Sequence, residues 1–419
     1  MTAPSASHQL LGQALMARLD ELGRVSTDRE RLNRQPYTAA HRQAIELVAG
    51  WMQAAGMATR VDAIGNLIGR YEGEDPAAPV VLIGSHLDTV VDAGRYDGAL
   101  GVLAGVQAVA ALHDAGERLP FPVEVVAFCD EEGVRFPTTF LGSKAICGTL
   151  DPKVLELQDQ AGVTVGAALR EFGGDPDALA SIAYPPGSLR AFLEVHIEQG
   201  PVLEAEDRPL GIVTAIQGQS RLAVVLDGMA GHAGTVPMGH RRDALAGAAE
   251  IALLVERRCS ATPDLVGTVG RLEVLPGAVN VIPGRAMLTL DIRSPSDLVR
   301  SQAVAELVQA IHGIAAARGL GCTVAREHDQ PASVCAPGLQ RVLAQAMRAE
   351  GVPVKYLPSG AGHDTMAMAA ACPAAMLFVR CQGGISHNPL ESMSLPDGDV
   401  ALRVLLRALR LLALPKAKP

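Results

Sequence analysis

PVVLIGSHLDTV (79–90) joins a short apolar run to a histidine and an aspartate, and the same arrangement recurs along the chain. PVVLIG (79–84) ends in glycine and reads as a buried strand, with His86 and Asp88 following where that strand runs out. PVEVVAFC (122–129) is a second such strand, and Asp130, Glu131 and Glu132 follow it at once. AFLEVHI (191–197) is a third, with His196 near its end, and AAMLFVR (374–380) is a fourth, followed by His387. In open α/β sheets the crevice beyond the carboxyl ends of the strands is where ligands bind. Loops far apart in sequence are thereby expected to converge on one site.

Outward from these strands, 8–23 and 38–55 carry apolar residues at helical spacing. Val61 to Arg70 holds a Gly-Asn turn and reads as a hairpin, and Ala99 to His113 as an apolar helix. The stretch from about 214 to 328 has another texture. RLAVVLDG (221–228), VGRLEVL (269–275) and AMLTLDIR (286–293) alternate apolar with polar residues, and helical patterns fill 241–258 and 296–318. Strand–helix–strand–strand–helix–strand predicts a small α+β domain with one open sheet face. The expected fold is therefore α/β: a large domain over 1–213 and 329–419, with a mainly parallel mixed sheet flanked by helices, interrupted by a smaller α+β domain over 214–328. The C-terminal ALRVLLRALRLLALP predicts a helix packed on the large domain with its arginines in water, in preference to a membrane-surface helix.

The 419 residues are 48% hydrophobic and only 19% charged, ample for large cores and unlike a disordered chain. A net charge of −9 with no basic patch argues against nucleic acid as a partner. No apolar stretch is long enough to span a membrane, and no secretory signal opens the chain. The seven cysteines are odd in number, irregularly spaced and without a CxxC pair, which reads as free thiols in a reducing cytoplasm.

The chemistry lies in five islands: GSHLDTV (84–90), GRYDGALG (94–101), DEEG (130–133), EVHIEQG (194–200) and GGISHNPLE (383–391). Each alone reads as an ordinary turn. Together they offer three histidines, an aspartate and a glutamate pair, enough for two divalent cations and a free base. Nitrogen and oxygen donors without thiolate suit manganese, zinc, cobalt or nickel. A carboxylate such as Asp88 can hold the second ring nitrogen of His86 and fix its tautomer. Asp97, flanked by glycines, can turn one oxygen to each of two cations; its other reading is an Asx cap on the helix from Ala99. Glu131 and Glu132 leave a strand end in diverging directions, so one can bind metal while the other serves as base. His363 either lines the pocket or opens a helix at Asp364. His8, His41, His113, His240, His312 and His328 lack nearby partners and are assigned to surface or packing.

In this order the islands resemble the aminoacylase/carboxypeptidase superfamily of dinuclear metallohydrolases, from about residue 38 to 410. EVHIEQG puts a histidine where the peptidases of that superfamily carry an acid, which resembles the amidase/hydantoinase/carbamoylase subgroup. GQSR (218–221), GHAGTVPM (231–238), NVIPG (280–284), SGAGHD (359–364) and VRCQGGISHNPLE (379–391) are most similar to allantoate amidohydrolases. The resemblance implies that His86, Asp97 and His196 hold one cation and Asp97, Glu132 and His387 the other. It implies Glu131 as general base, and Gln199, Arg221, His232, Asn280, Arg293 and Gly360 as substrate contacts, with His232 also aiding catalysis. It further implies two Mn2+ or Zn2+ ions (Co2+ or Ni2+ in some members), a smaller domain that acts as lid and dimerisation surface, and a homodimer.

The leading expectation is a cytoplasmic amidohydrolase that cleaves the ureido bond of a small carboxylate, allantoate first, releasing ammonia and carbon dioxide. An N-carbamoyl-L-amino-acid hydrolase or β-ureidopropionase shares every ligand and is the alternative. His196 and Gln199 argue against a peptidase or deacylase, and the intact ligand set argues against a non-catalytic binding protein.

Overall fold

The computed structural model describes residues 6–414. From the N-terminus come α1 (Ala6–Leu22), α2 (Ala39–Ala54), the hairpin β1 (Ala58–Val61) and β2 (Leu67–Tyr71), β3 (Val80–His86), α3 (Ala99–Asp114), β4 (Val123–Phe128), α4 (Leu141–Ile146), α5 (Val165–Phe172), β5 (Leu189–Ile197), α6 (Val202–Ala205) and β6 (Leu210–Ile216). The middle of the chain adds β7 (Gly218–Asp227), β8 (Gly231–His232), α7 (Ala244–Ser260), β9 (Val266–Leu275), β10 (Val281–Ile282), β11 (Arg285–Ser294), α8 (Asp297–Ala317), β12 (Gly321–Gln330) and β13 (Ser333–Val334). The chain returns through α9 (Pro337–Ala349), β14 (Tyr356–Ser359), α10 (Thr365–Met368), β15 (Ala374–Val379) and α11 (Leu395–Ala413). Two compact units result. One comprises the chain up to Thr214, Cys335–Leu357 and the residues from Gly362 onward; the other is Ala215–Val334 with Pro358–Ala361. The side chain of His8 lies outside the described residues.

The sheet of the first unit runs β1-β2-β4-β3-β5-β15-β6. Its centre, β4-β3-β5-β15, is parallel, and β1, β2 and β6 are antiparallel additions at the edges. The fold class read from the sequence, a mainly parallel mixed sheet flanked by helices, is the one observed. Every residue of β3, β4 and β15 is buried, as a sheet covered on both faces requires. Val81 and Ile83 of β3 enter the large core with α1, α2, α3 and α11, while Val80 and Leu82 enter a smaller core on the opposite face. By strand alternation His86 falls on the small-core face, and His196 does so by alternation from Phe192 of β5. The strand expected to stop at Gly84 runs on to His86, so His86 is a strand residue with ladder-fixed backbone.

The C-terminal helix packs as read, but its arginines are paired. Arg403 and Arg407 meet Glu350 at 2.9 and 3.1 Å, and Arg410 meets Glu117 at 2.7 Å.

The second unit is an antiparallel sheet of order β12-β7-β11-β9. Leu222, Val224, Leu226, Leu288, Leu290 and Ile292 alternate inward against α7 and α8, leaving the other face half-open. A two-residue ribbon pairs β8 with β10. Among the described residues no helix is long and apolar enough to cross a membrane.

Candidate active site

His86 ends β3 and turns Nδ1 to the carbonyl oxygen of Asp88 at 2.9 Å. A carbonyl only accepts, so Nδ1 carries a proton and Nε2 is the ring atom turned into the site. His196, near the end of β5, does the same with the Ile197 carbonyl at 2.8 Å. Both Nε2 atoms face one oxygen of Asp97: His196 stands 3.1 Å and His86 3.5 Å from Oδ1. The other oxygen, Oδ2, faces Nε2 of His387 at 3.3 Å. His387 also lies 3.6 Å from Glu132, and Glu131 lies 4.0 Å from His86. Potential donor atoms in His86–Asp97–His196, in Asp97–Glu132–His387 and in His86–Glu131–Glu132 each lie within 4.8 Å of one another.

Local backbone explains the convergence. Gly98 sits in the left-handed region at φ 63°, and a Cβ there would lie 2.5 Å from the His86 ring. Only glycine serves both needs. Three non-glycine residues at the site also have positive φ: Asp130, Gln199 and His387. Such conformations cost on the order of 1–3 kcal/mol each and concentrate at functional sites. His387 is the exposed member, its side chain 51% accessible, whereas Asp97 is buried at 5% and Glu131 at 7%.

The carboxylates feel their burial. Burial pushes Glu132 up to about 7, with the Asp97 charge adding to it, and drives Glu131 well above its ordinary value. Burial also opposes the charge on Asp97, but hydrogen bonds from His196, His387 and His86 outweigh it and hold its carboxyl well below the usual range. The hydrogen bond to Asp97 lifts His387 to about 9.

Asp88 acts differently from the sequence reading. Its backbone carbonyl, not its carboxylate, holds His86; the carboxylate stays 3.8 Å from Nδ1. That carboxylate instead accepts the backbone N–H of Glu131 and of Glu132, each at 3.1 Å. Gln199 donates through Nε2 to Asp97 Oδ2 at 2.8 Å, and its Oε1 is buried without a hydrogen-bond partner. His363 is buried with its ring edge-on to His196 at 4.5 Å, and burial holds it well below its ordinary pKa.

Arg221, His232, Asn280, Arg293 and Gly360 belong to the second unit. His232 faces Val281 across the β8–β10 ribbon, and the Asn280 carbonyl accepts the Ala233 N–H at 2.9 Å. Arg293 grips both oxygens of Asp291 at 3.0 Å each and donates to the Gly360 carbonyl at 2.8 Å. Arg221 reaches the same Asp291 at 3.4 Å. Burial works against the Asp291 charge, but the Arg293 hydrogen bonds win and lower its pKa. Sequence reasoning missed Asp291. Its signal was the DIR spacing, which puts Asp291 and Arg293 on one strand face.

Comparisons with known proteins show the family. The model of peptidase family M20/M25/M40 matches residues 82–411. The chain is 43% identical to an N-carbamoyl-L-amino acid amidohydrolase of Geobacillus stearothermophilus, over 94% of this chain and 97% of that one. It is also 43% identical to allantoate deiminase of Arabidopsis thaliana, over 94% and 81%. Among solved structures, it superposes on an amidase of the hydantoinase/carbamoylase family from Burkholderia multivorans with a TM-score of 0.89 at 35% identity, covering 95% of this chain and 97% of that one.

Proposed function

The chain belongs to peptidase family M20/M25/M40 and is a hydrolase of C–N bonds; on that premise we propose that it is a two-cation amidohydrolase of ureido acids, with allantoate as its substrate. The observation that carries the reading is the division of Asp97 between His86 and His196 on one oxygen and His387 on the other. The donor chemistry fits a pair of divalent cations. Among the described residues no lysine or arginine forms an ion pair with Asp97, Glu131 or Glu132, so these buried acids have only histidines as cationic partners. Buried charge of one sign needs compensation, and oxygen and imidazole donors suit manganese, zinc, cobalt or nickel. His86, Asp97 and His196 would hold one ion, and Asp97, Glu132 and His387 the other.

Cations bound there polarise a carbonyl and lower the pKa of coordinated water. A ureido carbonyl needs both, because two nitrogens donate into it. Glu131 is the acid left over. Its carboxylate takes the proton of the attacking water and returns it to the leaving nitrogen, and a pKa raised by burial suits a group that must hold that proton between steps. His232 and Asn280 supply donors for the oxyanion, and Gln199 contacts the substrate. Arg293 and Arg221, gathered on Asp291, bind the substrate carboxylate and reject neutral ureas.

The first unit is read as the catalytic domain and the second as the lid and dimerisation domain of a homodimer. Exposed Val266, Leu272 and Leu275 on the edge strand β9 support the dimer, and seven free cysteines support a cytoplasmic location. The test is ammonia release from a panel of ureido acids by protein loaded with Mn2+, Zn2+ or Co2+. Turnover of allantoate above N-carbamoyl-L-amino acids is expected. The reverse order selects the second reading, a carbamoyl-amino-acid hydrolase, which the Geobacillus relative favours through its nearly full-length match. No turnover of either class sinks both.

A further inference from the structure

GGISHNPLE ends in a glutamate that no step above uses. Glu391 is 3% exposed, and its carboxylate bridges two loops from opposite ends of the chain. Oε1 accepts the backbone N–H of Tyr96 at 2.8 Å and of Asp97 at 3.1 Å. Oε2 accepts the hydroxyl of Ser386, next to His387, at 2.8 Å. The fit is close: a Cβ at Gly94 would lie 2.2 Å from both Cδ and Oε1 of Glu391. Ser386 Oγ also stands 3.1 Å from Asp97 Oδ2, the oxygen that faces His387. Gln199 donates to that same Oγ at 3.1 Å. The hydroxyl has one proton and two carboxylates to choose between. Glu391 offers the shorter contact, and taking the proton leaves a lone pair of Oδ2 available.

Resting on the two-cation reading above, we propose that Glu391 is a positioning residue for the second cation. It ties the Asp97 backbone to the loop of His387, and it draws the Ser386 proton away from the Asp97 oxygen that this cation needs. Glu391 touches neither substrate nor reacting atoms; it acts through Asp97 and Ser386.

Replacement separates its two jobs. Glu391→Gln keeps an oxygen for the Tyr96 and Asp97 N–H groups, but turns a donor toward Ser386. The hydroxyl then points at Asp97 Oδ2. Glu391→Ala removes both functions. The experiment is calorimetric titration of metal-freed protein with Mn2+ alone, beside His387→Ala, which marks the binding event that belongs to the second cation. In Glu391→Gln that event alone weakens, by roughly 10- to 100-fold, the range for a group that orients a ligand. Glu391→Ala weakens it further, and the first event stays within a few-fold of wild type. The melting temperature of the metal-freed Gln variant stays that of wild type. Unchanged affinities in both variants, or an equal fall in both events, would overturn the proposal. If Glu391→Ala does not fold, the near-isosteric Gln variant decides alone. Wild-type protein that takes up fewer than two Mn2+ strikes at the two-cation reading instead.

Discussion

Asp88 receives the backbone N–H of Glu131 on one carboxylate oxygen, and so fixes where an acid from another strand end must stand. Its second oxygen takes the N–H of Glu132, and its carbonyl takes the His86 ring proton. One residue thus sets a tautomer with its backbone and a glutamate pair with its side chain. Asp88→Asn spares the first role and damages the second, since an amide nitrogen cannot accept an N–H. A stranded buried N–H costs about 1–3 kcal/mol. The variant should melt lower and lose roughly 10- to 100-fold in kcat as the glutamate pair is misplaced. Full activity with intact stability would show that the glutamates hold their places unaided.

Glu131→Gln tests the base directly. The amide fills the same space but takes no proton. Metal content should stay at the wild-type value while kcat falls by about 100- to 10,000-fold. Metal lost along with activity would instead make Glu131 a ligand.

Asp97 and His387 differ in what their loss should do. Asp97 belongs to both donor groups, His387 to one. Asp97→Asn should therefore retain little of either ion after dialysis, and His387→Ala should retain one. Thermal shift gives a second reading. A ligand present at about a hundredfold excess over its Kd stabilises by roughly 2.7 kcal/mol. Added Mn2+ should raise the melting temperature of wild type most, of His387→Ala less, and of Asp97→Asn least. Equal responses in the two variants would remove Asp97 from its shared role.

Much of this is legible in the sequence. The strand–ligand pattern placed His86, Glu131, Glu132, His196 and His387 after four strands, and the parallel sheet brings those strands side by side. What the pattern lacked was strand order. β15 comes last in the chain yet pairs with β5, which is why His387 reaches the oxygen of Asp97 opposite His196. Glu391 and Asp291 stood in plain view beside residues already singled out. Their partners are backbone N–H groups at Tyr96 and Asp97 in one case and an arginine across a ladder in the other. Those partners have no signature in linear spacing, and the one signal was the DIR step from Asp291 to Arg293. The buried histidines divide as their neighbours in sequence suggest: His41 packs on Phe172, whereas His196 faces Asp97.

Arg293 carries the specificity test. Lysine keeps its charge but loses the planar fork that matches a carboxylate. A hydrogen bond to a charged group contributes about 1.5–3 kcal/mol. Arg293→Lys should lower kcat/KM for allantoate by roughly 10- to 100-fold, mainly through KM. An unchanged KM would move carboxylate recognition to another residue.

His41 sets part of the acid limit of stability. Its Nδ1 accepts the Tyr37 N–H at 3.2 Å, and the ring stacks on Phe172 at 5.4 Å. Burial first, then the nearby Arg34 and Arg42 charges, push its pKa from 6.5 down to about 3. The folded value lies below the unfolded one, so the native ring stays neutral while the unfolded ring takes up a proton. Its stabilisation is complete above pH 6.5 and is lost as pH falls from there toward about 3. Within that window this one group contributes a slope of about 1.4 kcal/mol per pH unit. His41→Gln removes the titration and keeps an acceptor for Tyr37. Urea midpoints should show the variant less stable than wild type near neutrality, with the gap closing as the solution is acidified. Parallel curves for the two proteins would mean that protonation of His41 is not what acid exploits.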